Sequence, residues 1–353
     1  MKLLLSTPCM DPTGFGMAGR LYLKALLSVG FTPFLHIPRY TNKQQIHFSD
    51  LPPNINDITW NGQYFDTLCT HVTPDIAKTY KNKINTILSV WETNKLPPGA
   101  NSKVNAFDKL ITVSEFSKDA FLNSGVTIPI DIVPHVIQKK EYNTVHSLIN
   151  KYKDKFVFFS NLEWHLGKGY DVLISAFSKA FEGKKDVILI IKTCSFDVAG
   201  KYDKRHIIKK LKGDNEFPKI VLIDDIISED NLYTLYELCD VYISCSRREA
   251  FSLTVGEALS FGKVVMALSY GGHREFLTDK NSILMNSKEE DIDIKLLESS
   301  RMLYRGQRWI EPDFDDVVDK MRYAKEERFK PEIDLSDYTF EVIGNKLIKA
   351  LEL

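Results

Sequence analysis

The 353-residue chain is 44% hydrophobic and 26% charged, the composition of an ordinary globular protein, and at that length two domains are expected because cores rarely grow beyond about 100–200 residues. Its 46 Lys and Arg balance 47 Asp and Glu, which excludes the basic footprint of a duplex-binding protein, so nucleic acid is not an expected partner. Residues 1–150 hold 14 basic and 11 acidic residues against 32 and 36 in the remainder, a slight bias that suits an anionic partner on the first half.

Five residues into the chain, Met1-Lys2-Leu3-Leu4-Leu5 gives way to Ser, Thr, Pro and Asp, too soon for a signal peptide, and no apolar run reaches the roughly 18 residues a membrane span needs. A cytoplasmic location is the expectation. Cys9, Cys69, Cys194, Cys239 and Cys245 form no C-x-x-C pair and are odd in number, which argues for reduced core residues rather than disulfides or a zinc site.

In chain order, a strand is predicted over 2–6, then a glycine-containing loop and a helix over 17–29. That helix is amphipathic, open to a peripheral membrane contact but better suited to facing a core. Further strands are predicted at 33–37, 67–71, 86–90 and 109–113, and Ser114-x-x-Ser117 reads as the cap of a helix over 118–124. Residues 143–155 are polar without a strand pattern, and the domain boundary falls there. Then the alternation repeats: strands at 156–160, 187–191, 220–223, 241–244 and 264–267, helices at 171–181, 229–239 and 254–261. Residues 288–335 carry no clear strand period, and 338–351 has the spacing of a closing helix. Such β-α alternation predicts an α/β fold of two Rossmann-like, doubly wound domains, with a cleft where the carboxyl ends of the strands face a shared ligand.

The stretch with most chemistry runs from Asp240 to Val265. A buried strand enters a loop holding Glu249, and a helix opens near Ser252 with its first free amides facing that loop, an arrangement that favours an anion such as a pyrophosphate. Glu249 and Glu257 would repel phosphate and suit hydroxyl groups of a sugar and a ribose. Two plainer readings stand beside this one: Thr254-x-x-Glu257 is also a capping box, and Glu249 also fits a solvated carboxylate beside Arg247 and Arg248. In the first half, Gly14-x-Gly16-x-x-Gly19 after strand one has dinucleotide spacing, but the second strand ends in His36-Ile37-Pro38-Arg39 without the acidic residue an NAD site needs.

Asp240, Ser246, Glu249, Phe251, Glu257, Ala258, Gly262 and Val265, continued by Gly271-Gly272 and Glu275, resemble the E-x7-E signature of the retaining nucleotide-sugar glycosyltransferases of family 4. Ala250 and Ser252 stand where glycines are common there, and Val264 where proline is usual. Trp164 to Gly169 is similar to that family's W-x-x-R-K-G segment, with Gly167 in place of arginine; His165 or an arginine from elsewhere would have to supply the missing charge. Trp91 to Pro97, Phe107-Asp108, Val113-Ser114, Ser117-Lys118, Ser124-Gly125-Val126 and Val133-Pro134-His135 extend the likeness over the first half.

The resemblance implies a GT-B fold: an acceptor-side domain over 1–145, a donor domain over 146–335, and a helix over 336–353 crossing back to the first. It implies a metal-independent transfer of a sugar from a nucleotide diphosphate sugar to a hydroxyl acceptor, with retention and no cofactor. Lys168, Glu249 and His71 become the catalytic candidates, and Gly14, Gly16, His165, Phe251, Ser252, Leu253 and Glu257 the donor-binding ones. Arg20, Glu92 and His135 are candidates for the acceptor. For His71, Arg20, Glu92 and His135 a satisfied structural role is the competing reading. A silent nucleotide-sugar binding protein and, more remotely, an NAD-dependent oxidoreductase are the alternative functions.

Overall fold

The computed structural model describes residues 1–38, 51–143, 147–193, 203–214, 216–297, 303–327 and 329–353. Two compact units emerge: Met1–Ile137 with Glu298–Gln307 and Asp334–Leu353, and Gln138–Leu297 with Arg308–Ile333. Each is therefore assembled from separate stretches of chain, and residues 298–307 return to the first unit from within the second.

The first unit begins with β1 (Leu3–Ser6), α1 (Gly14–Ser28), β2 (Phe34–His36), α2 (Ile55–Ile58), β3 (Thr67–His71) and β4 (Ile84–Leu88). It continues through α3 (Ala100–Val104), β5 (Lys109–Thr112), α4 (Glu115–Leu122) and β6 (Ile130–Ile132). Among the described residues these strands form one parallel sheet of order β2-β1-β3-β4-β5-β6, with Leu4 registered between Phe34 and Leu68. All four residues of β1 are buried, as expected of a strand covered on both faces. The Ser114 side chain accepts a hydrogen bond from Ser117 N and starts α4, as the spacing predicts. Helix α1 opens three residues before the expected position, and Leu21, Tyr22, Leu23, Ala25 and Leu26 on it are buried.

The second unit holds α5 (Leu148–Tyr152), β7 (Phe156–Asn161), α6 (Tyr170–Ala180), β8 (Val187–Thr193), α7 (Lys204–Lys212), β9 (Lys219–Asp224) and α8 (Glu229–Leu238). Next come β10 (Val241–Ile243), α9 (Leu253–Ser260), β11 (Val264–Leu268), β12 (Ser282–Met285), β13 (Ser287–Asp291), β14 (Arg308–Pro312) and α10 (Phe314–Glu326). Its parallel sheet has the order β12-β11-β10-β7-β8-β9 among the described residues. Asp240 fixes where β10 joins β7: its carboxylate accepts from Val157 N at 2.7 Å while its own N–H donates to Val157 O at 2.9 Å.

Two expectations are corrected. Residues 288–335 do contain a strand pair, since β13 and β14 form an antiparallel ribbon, and they contain α10, whose first turn is capped by Asp313. The sequence of β13, Ser-Lys-Glu-Glu-Asp, conceals it because charged residues occupy both faces of that strand. The polar stretch 143–155, taken as a boundary, includes α5, and residues 144–146 within it lie outside the described residues.

The last helix, α11 (Phe340–Ala350), packs against α1, with Gly344 so close that a Cβ there would stand 2.2 Å from Ala25 O. Cys9, Cys69, Cys239 and Cys245 are buried and in no disulfide among the described residues, and Cys194 lies outside them.

Candidate functional site

In the second unit the β7–α6 and β10–α9 loops are latched together. The first makes a 3-10 turn over Leu166–Lys168 and enters α6 through Gly169 at φ 67°, where a Cβ would lie 2.0 Å from Cys245 O. Arg247 N donates to Gly167 O at 2.9 Å and Ser246 Oγ to the same carbonyl at 3.2 Å. The Arg247 side chain is 5% exposed and pairs with both oxygens of Asp171 (2.7 and 2.9 Å) and of Glu311 (2.6 and 2.7 Å). A fifth donor bond reaches Leu166 O at 2.7 Å. These bonds hold the guanidinium charged despite its burial.

Above this latch, Lys168 Nζ donates to Glu249 Oε1 at 2.8 Å, with the two side chains 18% and 13% exposed. Such sheltering corrects the reading of Glu249 as a solvated carboxylate beside two arginines. Its partner is Lys168, and Arg247 is engaged elsewhere. Gly167, where the resemblance expects arginine, has the Arg248 side chain over it, for a Cβ at 167 would stand 2.3 Å from Arg248 Nε. His165 Nδ1 lies 3.4 Å from Arg248 Nη2, and its imidazole is held well below the usual histidine range by burial, then by the charges of Arg248 and Lys168. It is neutral at ordinary pH, so it does not stand in for the missing cation.

Ser252, the residue that precedes α9 as its N-cap, occupies the left-handed region at φ 70° and makes no side-chain capping bond. Ser252 is buried, and its Oγ has no hydrogen-bond partner among the described residues. Thr254 lies inside the helix, and the Glu257 carboxylate accepts from Tyr236 Oη at 2.7 Å, so the capping-box reading of Thr254-x-x-Glu257 falls. Phe251 is buried against Phe276 at 5.0 Å between ring centroids, a packing contact that fixes the loop. Leu253 opens α9, half-buried. Gly272 N donates to Glu249 O at 2.9 Å and ties the following loop to this one.

The first unit holds its candidates on and around the β1–α1 loop. Gly14 opens α1 with open space around it, while a Cβ on Gly16 would meet Asp11 O at 2.0 Å, so the close approach there is to the loop's own backbone. Arg20 is 2% exposed and donates from Nη1 to Cys9 O (3.1 Å) and Asp11 O (3.2 Å), bracing that loop from beneath. Glu92 is half-buried on the loop after β4. His71, at the end of β3, stacks on Phe15 at 4.0 Å and bonds Thr7 Oγ1 through Nδ1 at 3.0 Å, leaving buried Nε2 with no hydrogen-bond partner among the described residues. Tyr22 lies edge-on to His71 and tilted against His135, 5.9 and 5.2 Å away. Burial lowers both histidines to about 3, the charge of His135 adding to the effect on His71, so both rings are neutral.

Arg247, Asp171, Glu311, Tyr236 and Arg248 escaped the sequence reading. Arg247 and Arg248 adjoin Glu249 in sequence, yet nothing in spacing tells a latch from a solvated charge; Glu311 lies in β14, which had no legible strand pattern. Among the described residues no group of three or more His, Cys, Asp or Glu is placed to hold a metal ion, and no helix is long and apolar enough to cross a membrane.

Residues 139–298 match the family model described as Glycosyl transferases group 1. A curated protein of Sulfolobus islandicus filamentous virus (isolate Iceland/Hveragerdi), named as a glycosyltransferase, is 22% identical over 88% of this chain and 80% of its own. A trehalose-phosphate synthase from Burkholderia xenovorans, in complex with glucose-6-phosphate, superposes with a TM-score of 0.66 at 12% identity over 100% of both chains. Anabaena HepE in complex with UDP and glucose gives a TM-score of 0.61 at 16% identity over 100% of this chain and 95% of that one. These likenesses show the fold. That fold is the GT-B architecture, and within it residues 139–298 carry a domain matching Glycosyl transferases group 1.

Proposed function

We propose that the chain moves a sugar from a nucleotide diphosphate sugar to a hydroxyl acceptor with retention at the anomeric carbon, in the manner of family 4. The observation that carries this reading is the sheltered Lys168–Glu249 pair beside the opening of α9. Lys168 is a point charge for the leaving diphosphate, and the backbone amides of Phe251–Leu253 are donors to it. Glu249 accepts from hydroxyls of the transferred sugar, and Glu257, with one oxygen already bound by Tyr236, accepts from the ribose. The reaction breaks the bond from the anomeric carbon to the phosphate oxygen and forms one to the acceptor oxygen on the same face. The acceptor proton passes to the departing phosphate, and a nucleoside diphosphate leaves.

No protein nucleophile is required, and cationic side chains take the part a divalent metal would play. To the first unit the reading assigns the acceptor, with His71 Nε2 available to a substrate hydroxyl and Arg20, Glu92 and His135 as further candidates, while Gly14 and Gly16 stay with the donor. The location proposed is cytoplasmic.

Several solved relatives carry UDP, and one is bound with UDP-2-fluoro glucose, so UDP-sugars head the screen. Thermal shift across UDP-, GDP- and ADP-sugars should show one class raising Tm. With that donor, Lys168→Ala should lower turnover at least tenfold, about 1.4 kcal/mol of transition-state stabilisation, and Glu249→Ala should abolish transfer with the fold intact. Donor binding without consumption by the wild type, over a panel of acceptors and water, would mark a silent binding protein instead.

A further inference from the structure

We propose that the end of the first unit remote from His71, where β1, β3 and β4 begin, is a docking surface for a bilayer that carries anionic headgroups. Four large apolar side chains gather there, each half or more exposed: Met1 62%, Tyr64 66%, Tyr80 51% and Ile84 50%. Apolar residues scattered over a surface mean little, but these adjoin one another. Ile84 is registered with Thr67, whose Oγ1 donates to Met1 Sδ at 3.1 Å, and Ile84 N donates to Asp66 O at 3.3 Å. Lys83 Nζ lies 4.0 Å from the centre of the Tyr64 ring and 4.7 Å from that of Phe65, and Phe65 meets Tyr80 edge-on at 6.1 Å. The Asn85 side chain holds Tyr80 in place, accepting from its N–H at 2.7 Å and donating to its carbonyl at 3.0 Å.

Charge selects the occupant. Lys2, Lys78 and Lys81 are exposed and Lys83 is half-buried, while residues 76–91 contain no Asp or Glu. Two acids adjoin the patch, and both are engaged: Asp66 accepts from Lys2 N at 2.8 Å and from the Tyr64 hydroxyl, and Asp108 accepts from Asn85 N at 2.8 Å. Further along the same end of the sheet Lys109 is paired with Asp131 and Glu352, so the positive rim belongs to β1, β3 and β4. Lysines around an apolar centre suit the headgroup layer of an anionic membrane. There tyrosine rings sit with their hydroxyls wet, lysine stems carry ammonium groups to lipid phosphates, and Met1 and Ile84 enter the acyl boundary. Because β3 runs from Thr67 beside the patch to His71, a unit seated this way turns His71 away from the bilayer.

The full chain is tested with vesicles of phosphatidylcholine and phosphatidylglycerol in equal parts, and of phosphatidylcholine alone. The wild type should bind the anionic vesicles at least tenfold more tightly, with the advantage shrinking as salt rises. Lys78→Glu combined with Lys81→Glu should lose tenfold or more on those vesicles. Tyr64→Ser and Ile84→Thr, both at exposed positions, should each lose severalfold with Tm unchanged, and Tyr64→Ser carries this arm if Ile84→Thr disturbs β4. A polarity-sensitive dye attached through Tyr64→Cys should shift to the blue when vesicles are added. The same dye attached through Lys95→Cys, on the loop that follows β4, should not, each being read against the unsubstituted chain treated alike.

Equal binding to both kinds of vesicle, binding to neither, lysine variants that match the wild type, or a blue shift at position 95 in place of position 64 overturns the assignment. Self-association that Tyr64→Ser abolishes, without vesicle binding, gives the patch to a second copy and overturns it too. The glycosyltransferase reading is tested separately by the nucleotide-sugar screen and survives each of these outcomes.

Discussion

Arg247 shows how much of the donor-side geometry depends on a single side chain. It is nearly buried, and its donors reach Asp171 at the start of α6, Glu311 in β14 and the carbonyl of Leu166. Removing it leaves two carboxylates facing one another in a sheltered place, which is more costly than losing the attraction alone. Because those carboxylates are 28% and 23% exposed, water takes back part of the loss. Arg247→Ala is expected to destabilise by about 2–3 kcal/mol, seen as a lower urea midpoint with donor affinity falling as the latch loosens. His71 and His135 give the first unit a pH signature. Each titrates near 3 when folded against 6.5 ordinarily, so below pH 6.5 the unfolded chain takes up protons that the folded one refuses. Their contribution is complete above 6.5, erodes as the pH falls toward 3, and is flat below that. Thermal melts from pH 7 to 4 should show the decline, and His71→Gln should make it shallower. A motif singles out Lys168, Glu249 and Glu257 in the sequence, and the structure brings the first two together as an ion pair. A residue's role was hidden wherever the fold chooses a side chain's partner: Arg20 is a candidate for the acceptor in the sequence and braces its own loop in the structure.

At the level of elements, the turn into α6 is shaped by what stands behind it. Gly169 at φ 67° has Cys245 O where its Cβ would be, whereas Gly183 at φ 72° has open space around it. The conformational penalty is shared, about 1 kcal/mol or somewhat more for an alanine, but at Gly169 a backbone collision is added. Gly169→Ala should cost about 2–4 kcal/mol and Gly183→Ala about 1 kcal/mol, compared by denaturant unfolding. Equal losses would mean that the two loops separate easily. The parallel strands were readable because burial on both faces demands apolar runs such as Leu3-Leu4-Leu5 and Val187 to Ile191. The β13–β14 ribbon was not, since β13 is Ser-Lys-Glu-Glu-Asp and only β14 supplies buried apolar residues, Trp309 and Ile310.

For the molecule as a whole, the sequence indicates two α/β units, and the structure adds that neither is a continuous stretch. The first is closed by residues from its far end: Ile343 and Leu347 of α11 are buried, Ile137 N donates to Tyr338 O at 3.0 Å, and Lys109 Nζ donates to Ala350 O at 3.0 Å. Helical spacing made α11 visible in the sequence, but the partner it selects depends on Gly344, whose missing side chain admits α1. Removing residues 334–353 should therefore weaken the first unit selectively, with protease cuts appearing in and around α1 while the second unit's core resists. Cuts spread evenly through both units would contradict this.

Closure of the first unit by residues 334–353 has a bearing on synthesis. A ribosome finishes every strand of the first sheet early, then makes the entire donor-side unit before the helix that covers α1 emerges. Until then α1 has an uncovered flank, so the nascent protein is most exposed to misassociation in the part it made first. Chaperone occupancy should track that flank and drop once α11 has emerged and docked on α1.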